Sequence, residues 1–274
     1  MLAHAVVTAP RSSPDRWVMF LHGILGQGNN WRGFARKLVD AHPTWGAVLI
    51  DLRCHGRSLD EAPPDTGRNA ARELLHLEVA QRADAVIGHS FGGKVALHYL
   101  DERDGELGRA IIVDANPGPR PNGRGSESTT DIVDLLGSLT GPFADRQSFV
   151  SAFTSRGHTR EIAEWLAMNL EPRGDGLVLR TDVPRIRALL EDHLQTDLWH
   201  VVEHPPGRVA LTMVVGGKSS VYDASERAKL ADVAAASGGR VEAVTIEEAG
   251  HWVHVDAPDA LHELLLLGTR DLGR

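Results

Sequence analysis

One stretch constrains the fold of this 274-residue chain more than any other, the apolar run and glycine-rich turn within residues 83–100. The run Ala85–Ile87 is compact and apolar, which is typical of a strand covered on both faces. After the turn, apolar residues recur at helical spacing, at Val95, Ala96, Tyr99 and Leu100. The sequence therefore predicts a buried strand, a sharp turn and a helix.

The turn itself reads Gly88-His89-Ser90-Phe91-Gly92. A serine between strand and helix occupies a strained backbone conformation, so the residues two positions away must be nearly free of side chain, as Gly88 and Gly92 are. The helix that follows offers free N–H groups and a positive dipole end to a developing oxyanion. This turn predicts Ser90 as a nucleophile and the backbone N–H of Phe91 as one oxyanion donor.

Further strand candidates alternate with helical patterns on both sides of this turn. They span residues 17–21, 46–52, 109–113, 208–215 and 241–246. Strand and helix in alternation at this spacing predict an α/β fold, a mostly parallel sheet flanked by helices. In such sheets ligands bind beyond the carboxyl ends of the strands, so polar motifs that follow different strands are expected at one edge.

The strand pattern is interrupted after residue 116. Residues 117–131 are rich in Pro, Gly, Ser and Thr and have no periodicity, which is typical of a linker or loop. Amphipathic helical patterns follow as far as residue 205. We therefore expect a core domain formed by residues 1–116 and 206–274, with a helical lid inserted at 117–205.

Composition excludes several classes of protein. The formal charge is -8, with 24% charged residues and no dense basic run, which argues against a nucleic acid partner. No apolar run approaches the length of a membrane span, so no membrane insertion is expected. The first ten residues make a poor signal peptide, and a single cysteine, Cys54, excludes an internal disulfide and fits a cytoplasmic location.

A serine nucleophile needs a base and an orienting carboxylate. His251 follows the last predicted strand, at the sheet edge where Ser90 is expected, and is the strongest candidate for the base among 14 histidines. The usual position of the acid is the loop after 208–215, which reads Gly216-Gly217-Lys218-Ser219-Ser220 and carries a serine where the acid is expected. Two carboxylates remain open: Asp114, which ends the strand at 109–113, and Asp223, a second candidate that also suits a helix cap.

The remaining site predictions concern the oxyanion and the pocket walls. Gly23 and Gly26 follow the strand at 17–21 and allow a close backbone approach, so the N–H of Ile24 is the expected second oxyanion donor. Three large aromatic residues are candidates for substrate binding, although such residues are often simple core: Trp31, Trp165 and Trp252.

The sequence carries no flavin, nucleotide or metal motif, so no cofactor is expected. His251 and His254 are three residues apart, a spacing that resembles a metal site only superficially. Asp256 is the only acidic or cysteine residue near them that could complete a set of metal ligands.

Four segments, HGILGQGNNW, DLRCHGRS, GHSFGGKVA and AGHWVHVDAPDAL, occur in the order that the α/β-hydrolase superfamily uses. The chain resembles that superfamily over nearly its whole length, least in 117–205. More narrowly, GHSFGGKVA, the acid-free loop GGKSSVY and GHWVH resemble the YbfF/ABHD11-like serine esterases. The resemblance implies the α/β-hydrolase fold with Ser90 as nucleophile and His251 as base. It also favours Asp114, because a relative that lacks an acid after the later strand must draw one from elsewhere.

Two classes of function follow. The first is a cofactor-free hydrolase that cleaves small-molecule carboxylic or thio esters of small to medium acyl groups through an acyl-enzyme on Ser90; a C–C bond hydrolase or perhydrolase could use the same Ser90 and His251 pair. The second is a ligand-binding module whose catalytic set is incomplete, because the expected acid is missing.

Overall fold

The structure, a computed structural model, describes residues 1–103, 107–120, 129–139 and 141–270. The middle of the predicted linker, residues 121–128, lies outside the described part, as do the last four residues of the predicted core domain. Within the described residues a central β-sheet is covered by helices on both faces, which confirms the predicted α/β architecture.

The central sheet has seven strands. They are β1 (His4–Val7), β2 (Arg16–Leu21), β3 (Trp45–Ile50), β4 (Ala85–His89), β5 (Arg109–Val113), β8 (Ala210–Gly216) and β9 (Val241–Ile246). Their spatial order is β1-β3-β2-β4-β5-β8-β9. Only β1 pairs antiparallel, with β3, and the other neighbours run parallel. The predicted mostly parallel sheet is therefore confirmed.

The buried strands were easier to predict from the sequence than the exposed one. All six residues of β3 and all five of β4 are buried, which explains their continuous apolar runs. The pattern did not predict β1, since only Val7 of its four residues is buried and an edge strand keeps one side in solvent.

The helices of the core lie on two faces of the sheet. They are α1 (Arg32–Ala41), α2 (Gly67–Leu75), α3 (Glu78–Gln81), α4 (Phe91–Glu102), α10 (Ala224–Ala236), α11 (Val253–Asp256) and α12 (Pro258–Arg270), with a 3-10 turn at Gly28–Trp31. Apolar residues of α1 and α12 pack in one cluster, and those of α2, α4 and α10 pack in another on the opposite face. The nucleophile candidate therefore starts a helix, α4, whose first ten residues are buried.

The segment between β5 and β8 contains more than helices. Its described elements are α5 (Thr129–Ser138), α6 (Arg146–Thr154), α7 (Arg160–Leu166), a 3-10 turn at Ala167–Asn169, β6 (Leu170–Arg173), β7 (Gly176–Leu179), α8 (Val183–Gln195) and α9 (Trp199–Glu203). Strands β6 and β7 form an antiparallel hairpin around Gly174-Asp175, an element that the helical expectation for 117–205 did not include.

The apolar spacing of the sequence predicts a single helix over 69–82 and another over 184–200, and both are interrupted in the structure. The pattern over 69–82 is divided into α2 and α3 at His76 and Leu77, and the pattern over 184–200 is divided into α8 and α9 after Thr196. In both places the apolar spacing continues across a short break, and spacing alone therefore cannot show where hydrogen bonding stops.

Close backbone approach explains the glycines on either side of Ser90. A Cβ on Gly88 would collide with the carbonyl oxygen of Gly92, and a Cβ on Gly92 would lie 2.5 Å from the carbonyl oxygen of His22. The strand, the helix and the loop after β2 can therefore meet only if both positions lack a side chain.

Two buried histidines hold the loops that follow β2 and β3. The Nδ1–H of His22 donates to the Gly23 carbonyl at 2.7 Å, and its Nε2 accepts from the Leu52 amide at 3.1 Å. His55 makes the same pair of bonds, donating to Arg53 at 2.8 Å and accepting from the Leu25 amide at 2.9 Å. Each ring needs one donor and one acceptor nitrogen, so the neutral form fits these contacts.

Burial lowers the pKa of both rings from the ordinary value of 6.5. The pKa of His22 is about 4, and that of His55 is about 3, where the charge of His22 adds to the effect of burial. Both rings therefore resist protonation in the folded chain.

We expect a steep loss of stability in acid. Between pH 6.5 and about pH 4 the unfolded chain binds protons at these rings and the folded chain does not, so the free energy of unfolding is fully retained above pH 6.5 and falls as the pH decreases. Each ring contributes up to about 1.4 kcal/mol per pH unit. Urea unfolding of the wild type and His55→Gln from pH 7.5 to 4.5 measures this slope. Glutamine keeps a hydrogen-bond acceptor but does not titrate, so the slope of the unfolding free energy against pH should fall in the variant by the equivalent of about one proton. An unchanged slope would contradict a neutral, buried His55.

We also expect Gly88→Ala to abolish or strongly reduce folding, because the new Cβ meets backbone that cannot move away. Gly33→Ala is the matched control: Gly33 lies in α1 with no atom within 4 Å of an added Cβ, so this change should be neutral or raise stability by up to about 1 kcal/mol. Thermal unfolding of both variants tests the difference, which would be absent if the junction were loosely packed.

Candidate active site

Ser90 lies at the junction of β4 and α4 in a strained conformation. Its φ is 54° and its ψ is -118°, a positive φ that non-glycine residues rarely adopt. Its own carbonyl accepts the first helical hydrogen bonds, from the Gly93 and Lys94 amides at 2.9 and 3.2 Å. Its hydroxyl donates to no acceptor among the described residues and is half-buried. The geometry leaves the Ser90 hydroxyl available for chemistry beside a helix N-terminus.

Asp114 and His251 form a buried pair beside Ser90. The Nδ1–H of His251 donates to Oδ2 of Asp114 at 2.7 Å. Asp114 is fully buried and directly follows β5, and His251 is 4% exposed. Donation from Nδ1 leaves Nε2 as the unprotonated nitrogen of the neutral ring, which is the nitrogen that a general base uses.

Two further donors satisfy the Asp114 carboxylate. The Gly216 amide donates to Oδ1 at 3.0 Å, and the Ser219 hydroxyl donates to Oδ2 at 2.6 Å. Ser219 thus occupies the usual acid position and bonds to an acid that comes from the neighbouring strand end. Such bonds offset the cost of burying a carboxylate.

The structure places Asp223 elsewhere. Its side chain accepts from the Glu226 amide at 2.9 Å and caps α10 at an exposed position. The sequence allowed Asp223 to be either the acid or a helix cap, and the structure has it as a cap. No hydrogen bond joins Asp223 to His251 among the described residues.

Ser90 and His251 line one small cavity of about 30 Å³. Its other lining residues come from α4, the end of β5, the segment between β5 and β8, and the loop after β8, and they are Lys94, Asp114, Ala115, Asn116, Gly118, Arg120, His193, Leu194 and Val221. No sequence pattern points to Lys94 or His193, because nothing in a helical spacing shows which distant segment a side chain will contact.

Two backbone amides beside Ser90 are unpaired within the described residues, those of Ile24 and Phe91. Phe91 is the first residue of α4, where amides have no helical acceptor. The neighbouring residue Leu25 has a positive φ of 64°, and its amide donates to Nε2 of His55. This hydrogen bond fixes the turn that contains Ile24. Both amides that the sequence predicts as oxyanion donors are therefore free to donate.

The three aromatic candidates have different surroundings. Trp31 is 2% exposed and packs in the core against Phe20 and Phe34, with its indole N–H on the Leu21 carbonyl, so its ring does not line the cavity at Ser90. Trp31 ends the 3-10 turn before α1 and belongs to the same apolar cluster as the buried residues of that helix.

Trp165 of α7 and Trp252 contact each other, with ring centroids 5.0 Å apart. Trp252 also lies 5.8 Å from the His251 ring. These two rings join the inserted segment to the loop that carries His251, although neither lines the 30 Å³ cavity.

Two absences can be stated for the described residues. No group of three His, Cys, Asp or Glu side chains is arranged to hold a metal ion there. Nor does any described helix have the length and apolarity that are needed to cross a membrane.

Comparison with known proteins points to one family. The model of the alpha/beta hydrolase family matches residues 18–264. The chain is 28% identical over 251 residues to the zebrafish (Danio rerio) sn-1-specific diacylglycerol lipase ABHD11, covering 88% of this chain and 74% of that protein. It is 26% identical over 264 residues to the esterase YbfF of Escherichia coli strain K12, covering 93% of each.

Solved structures show the same fold. A marine microorganism esterase superimposes with a TM-score of 0.81 at 22% identity, over 97% of this chain and 98% of that one. The thioesterase domain from the curacin biosynthetic pathway gives 0.71 at 21% identity, over 97% and 95%. The central sheet with its flanking helices is thus the α/β-hydrolase fold, and the chain belongs to the alpha/beta hydrolase family.

Proposed function

We propose that this protein hydrolyses carboxylic or thio esters of small to medium acyl groups without a cofactor, through an acyl-enzyme on Ser90. The observation that carries the proposal is the buried His251–Asp114 hydrogen bond of 2.7 Å beside a strained, unpaired Ser90 hydroxyl. Relatives whose names include esterase, diacylglycerol lipase and thioesterase domain support ester chemistry.

The proposed reaction has two halves. Ser90 Oγ attacks the ester carbonyl while Nε2 of His251 takes its proton, and the oxyanion is bound by the amides of Ile24 and Phe91. His251 then gives the proton to the leaving alcohol or thiol. In the second half His251 takes a proton from water, which attacks the acyl-enzyme, and returns it to Ser90 as the acid leaves.

In this proposal Asp114 holds the imidazole ring in one tautomer and stabilises its charged form. Three donors aim at its two oxygens, so the carboxylate is fixed before the reaction begins. A preorganised group of this kind costs no rearrangement in the transition state.

We further propose that residues 117–205 act as a lid over the site. The support is that two stretches of this segment line the cavity of Ser90, one at its start and one at the end of α8, and that Trp165 within it packs on Trp252 next to His251. A segment in these positions would contact the acyl or alcohol part of an ester.

Ser90→Ala should lower the hydrolysis of p-nitrophenyl esters by at least about 10³-fold, because the nucleophile is removed. A fluorophosphonate probe should label the wild type at Ser90, as located by mass spectrometry. Ser225→Ala, at an exposed serine in α10, is the control and should retain both properties. A folded wild type that neither reacts with the probe nor cleaves any ester would instead favour a ligand-binding module.

Asp114→Asn should lower kcat by about 10³- to 10⁴-fold, because an amide can present its NH₂ to His251 and favour the wrong tautomer. Asp223→Asn should leave kcat within about twofold and stability nearly unchanged, since Asn is as good a helix cap as Asp. Steady-state kinetics of the two variants on one ester measures both effects. Equal losses, or a larger loss in Asp223→Asn, would reject Asp114 as the acid.

A further inference from the structure

Lys94 lies one helical turn after Ser90 on α4, and the side chain is buried, with 3% exposure. Its ammonium donates to three backbone carbonyls, those of Gly118 at 2.9 Å, His193 at 2.7 Å and Thr196 at 2.9 Å. An ammonium has three donors, so all of them are used. The side chain therefore bonds only to backbone oxygens of the inserted segment.

These three carbonyls lie in two stretches of the segment between β5 and β8, one just after β5 and one at the end of α8. We call residues 116–120 and 193–198 together the neck. Its two stretches bond to each other, with the Arg120 amide on the Leu194 carbonyl at 2.6 Å and the Leu198 amide on the Pro117 carbonyl at 2.9 Å. Lys94 binds both stretches of the neck from the side of α4.

The neck also forms one wall of the cavity at Ser90. Five of its residues line that cavity, namely Asn116, Gly118, Arg120, His193 and Leu194. Ser90 and His251 line the same cavity, whose volume is about 30 Å³. Drug-sized ligands occupy roughly 300–1,000 Å³, so the position of the neck limits what fits beside Ser90.

We propose that Lys94 is a positioning residue that sets the size of ester accepted at Ser90, by fixing the neck against α4. The inference rests on the proposed ester hydrolysis. It assigns to Lys94 a part in substrate selection and no part in the proton transfers.

The charge and the hydrogen bonds of Lys94 favour one position of the neck against α4. Burial lowers the pKa of Lys94 to about 8, while the carboxylates of Asp197 and Asp192 favour the charged form. Without the ammonium, three carbonyls would lose their donor, and buried carbonyls without a partner are unfavourable. The neck would then have to move or admit water, and the cavity would widen.

Other contacts keep the insertion attached when Lys94 is changed. The carboxylate of Asp192 accepts from the Gly67 amide at 2.8 Å, and Arg185 pairs with Asp65 at 2.7 Å. Both contacts join α8 to the core independently of Lys94. Loss of the ammonium should therefore act on the neck rather than release α8.

Lys94→Met tests the proposal, because methionine keeps much of the length and removes the charge. The ratio of kcat/KM for p-nitrophenyl acetate to that for p-nitrophenyl octanoate should fall by about tenfold or more, since a wider cavity penalises the long acyl group less. Fluorophosphonate labelling of Ser90 should be retained. Lys37→Met is the control, at a lysine whose side chain is 59% exposed on α1, and should keep the wild-type ratio.

Two outcomes would overturn the inference. A ratio within twofold of wild type shows that Lys94 does not select for size, and loss of labelling in a folded variant shows that it acts on the nucleophile instead. Failure of the Ser90→Ala test rejects the ester hydrolase itself, a result that is separate from either.

Two further measurements test the contact itself, one on the wild type and one on Lys94→Met. Acetylation of the native protein with an amine-reactive ester, read by mass spectrometry, should modify Lys37 at least about tenfold faster than Lys94, whose donors are all engaged. In Lys94→Met, hydrogen exchange should rise in peptides of the neck and stay unchanged in α1. Equal acetylation of the two lysines, or unchanged exchange in the neck, contradicts the proposed contact.

Discussion

The site depends on how one buried carboxylate is satisfied. Asp114 has no exposure to solvent, and its oxygens accept from the Gly216 amide, the Ser219 hydroxyl and the His251 ring. Those donors come from the end of β8, the loop after it and the loop after β9. A buried carboxylate is costly without partners, so the three segments must meet at this point for the chain to fold well. The same bonds fix the orientation of His251.

The other wall of the site depends on close backbone contact. Gly88 and Gly92 let β4, α4 and the loop after β2 approach within contact distance, which exposes Ser90 at a positive φ. His22 and His55 then hold the loops after β2 and β3 through neutral rings, and the Ile24 amide remains unpaired. Rigid loops around a strained serine are the arrangement that preorganised catalysis requires. Because the rings that hold these loops must stay neutral, the folded protein is expected to lose stability in acid.

Much of this arrangement could be predicted from local signals. Continuous apolar runs identified the parallel strands, because burial on both faces imposes that composition, and the glycines around Ser90 identified the turn. Asp114 and Asp223 could not be separated in the same way, since each lies in a loop beyond a strand of the sheet and either carboxylate could act as the acid or satisfy local backbone amides. The hairpin β6–β7 and the edge strand β1 were missed because short, half-exposed strands carry little periodicity.

The sequence by itself determined the α/β architecture, the strained turn at Ser90 and the position of His251 after the last strand, because each depends on residues that are neighbours in the chain. Only the tertiary structure decided which carboxylate bonds to His251, that Trp31 belongs to the core, and that Lys94 binds both stretches of the neck. Those contacts join residues up to 137 positions apart, and their distances are set by how the strands and helices pack. The 2.7 Å hydrogen bond between His251 and Asp114 depends on that packing, and no local sequence pattern can predict it.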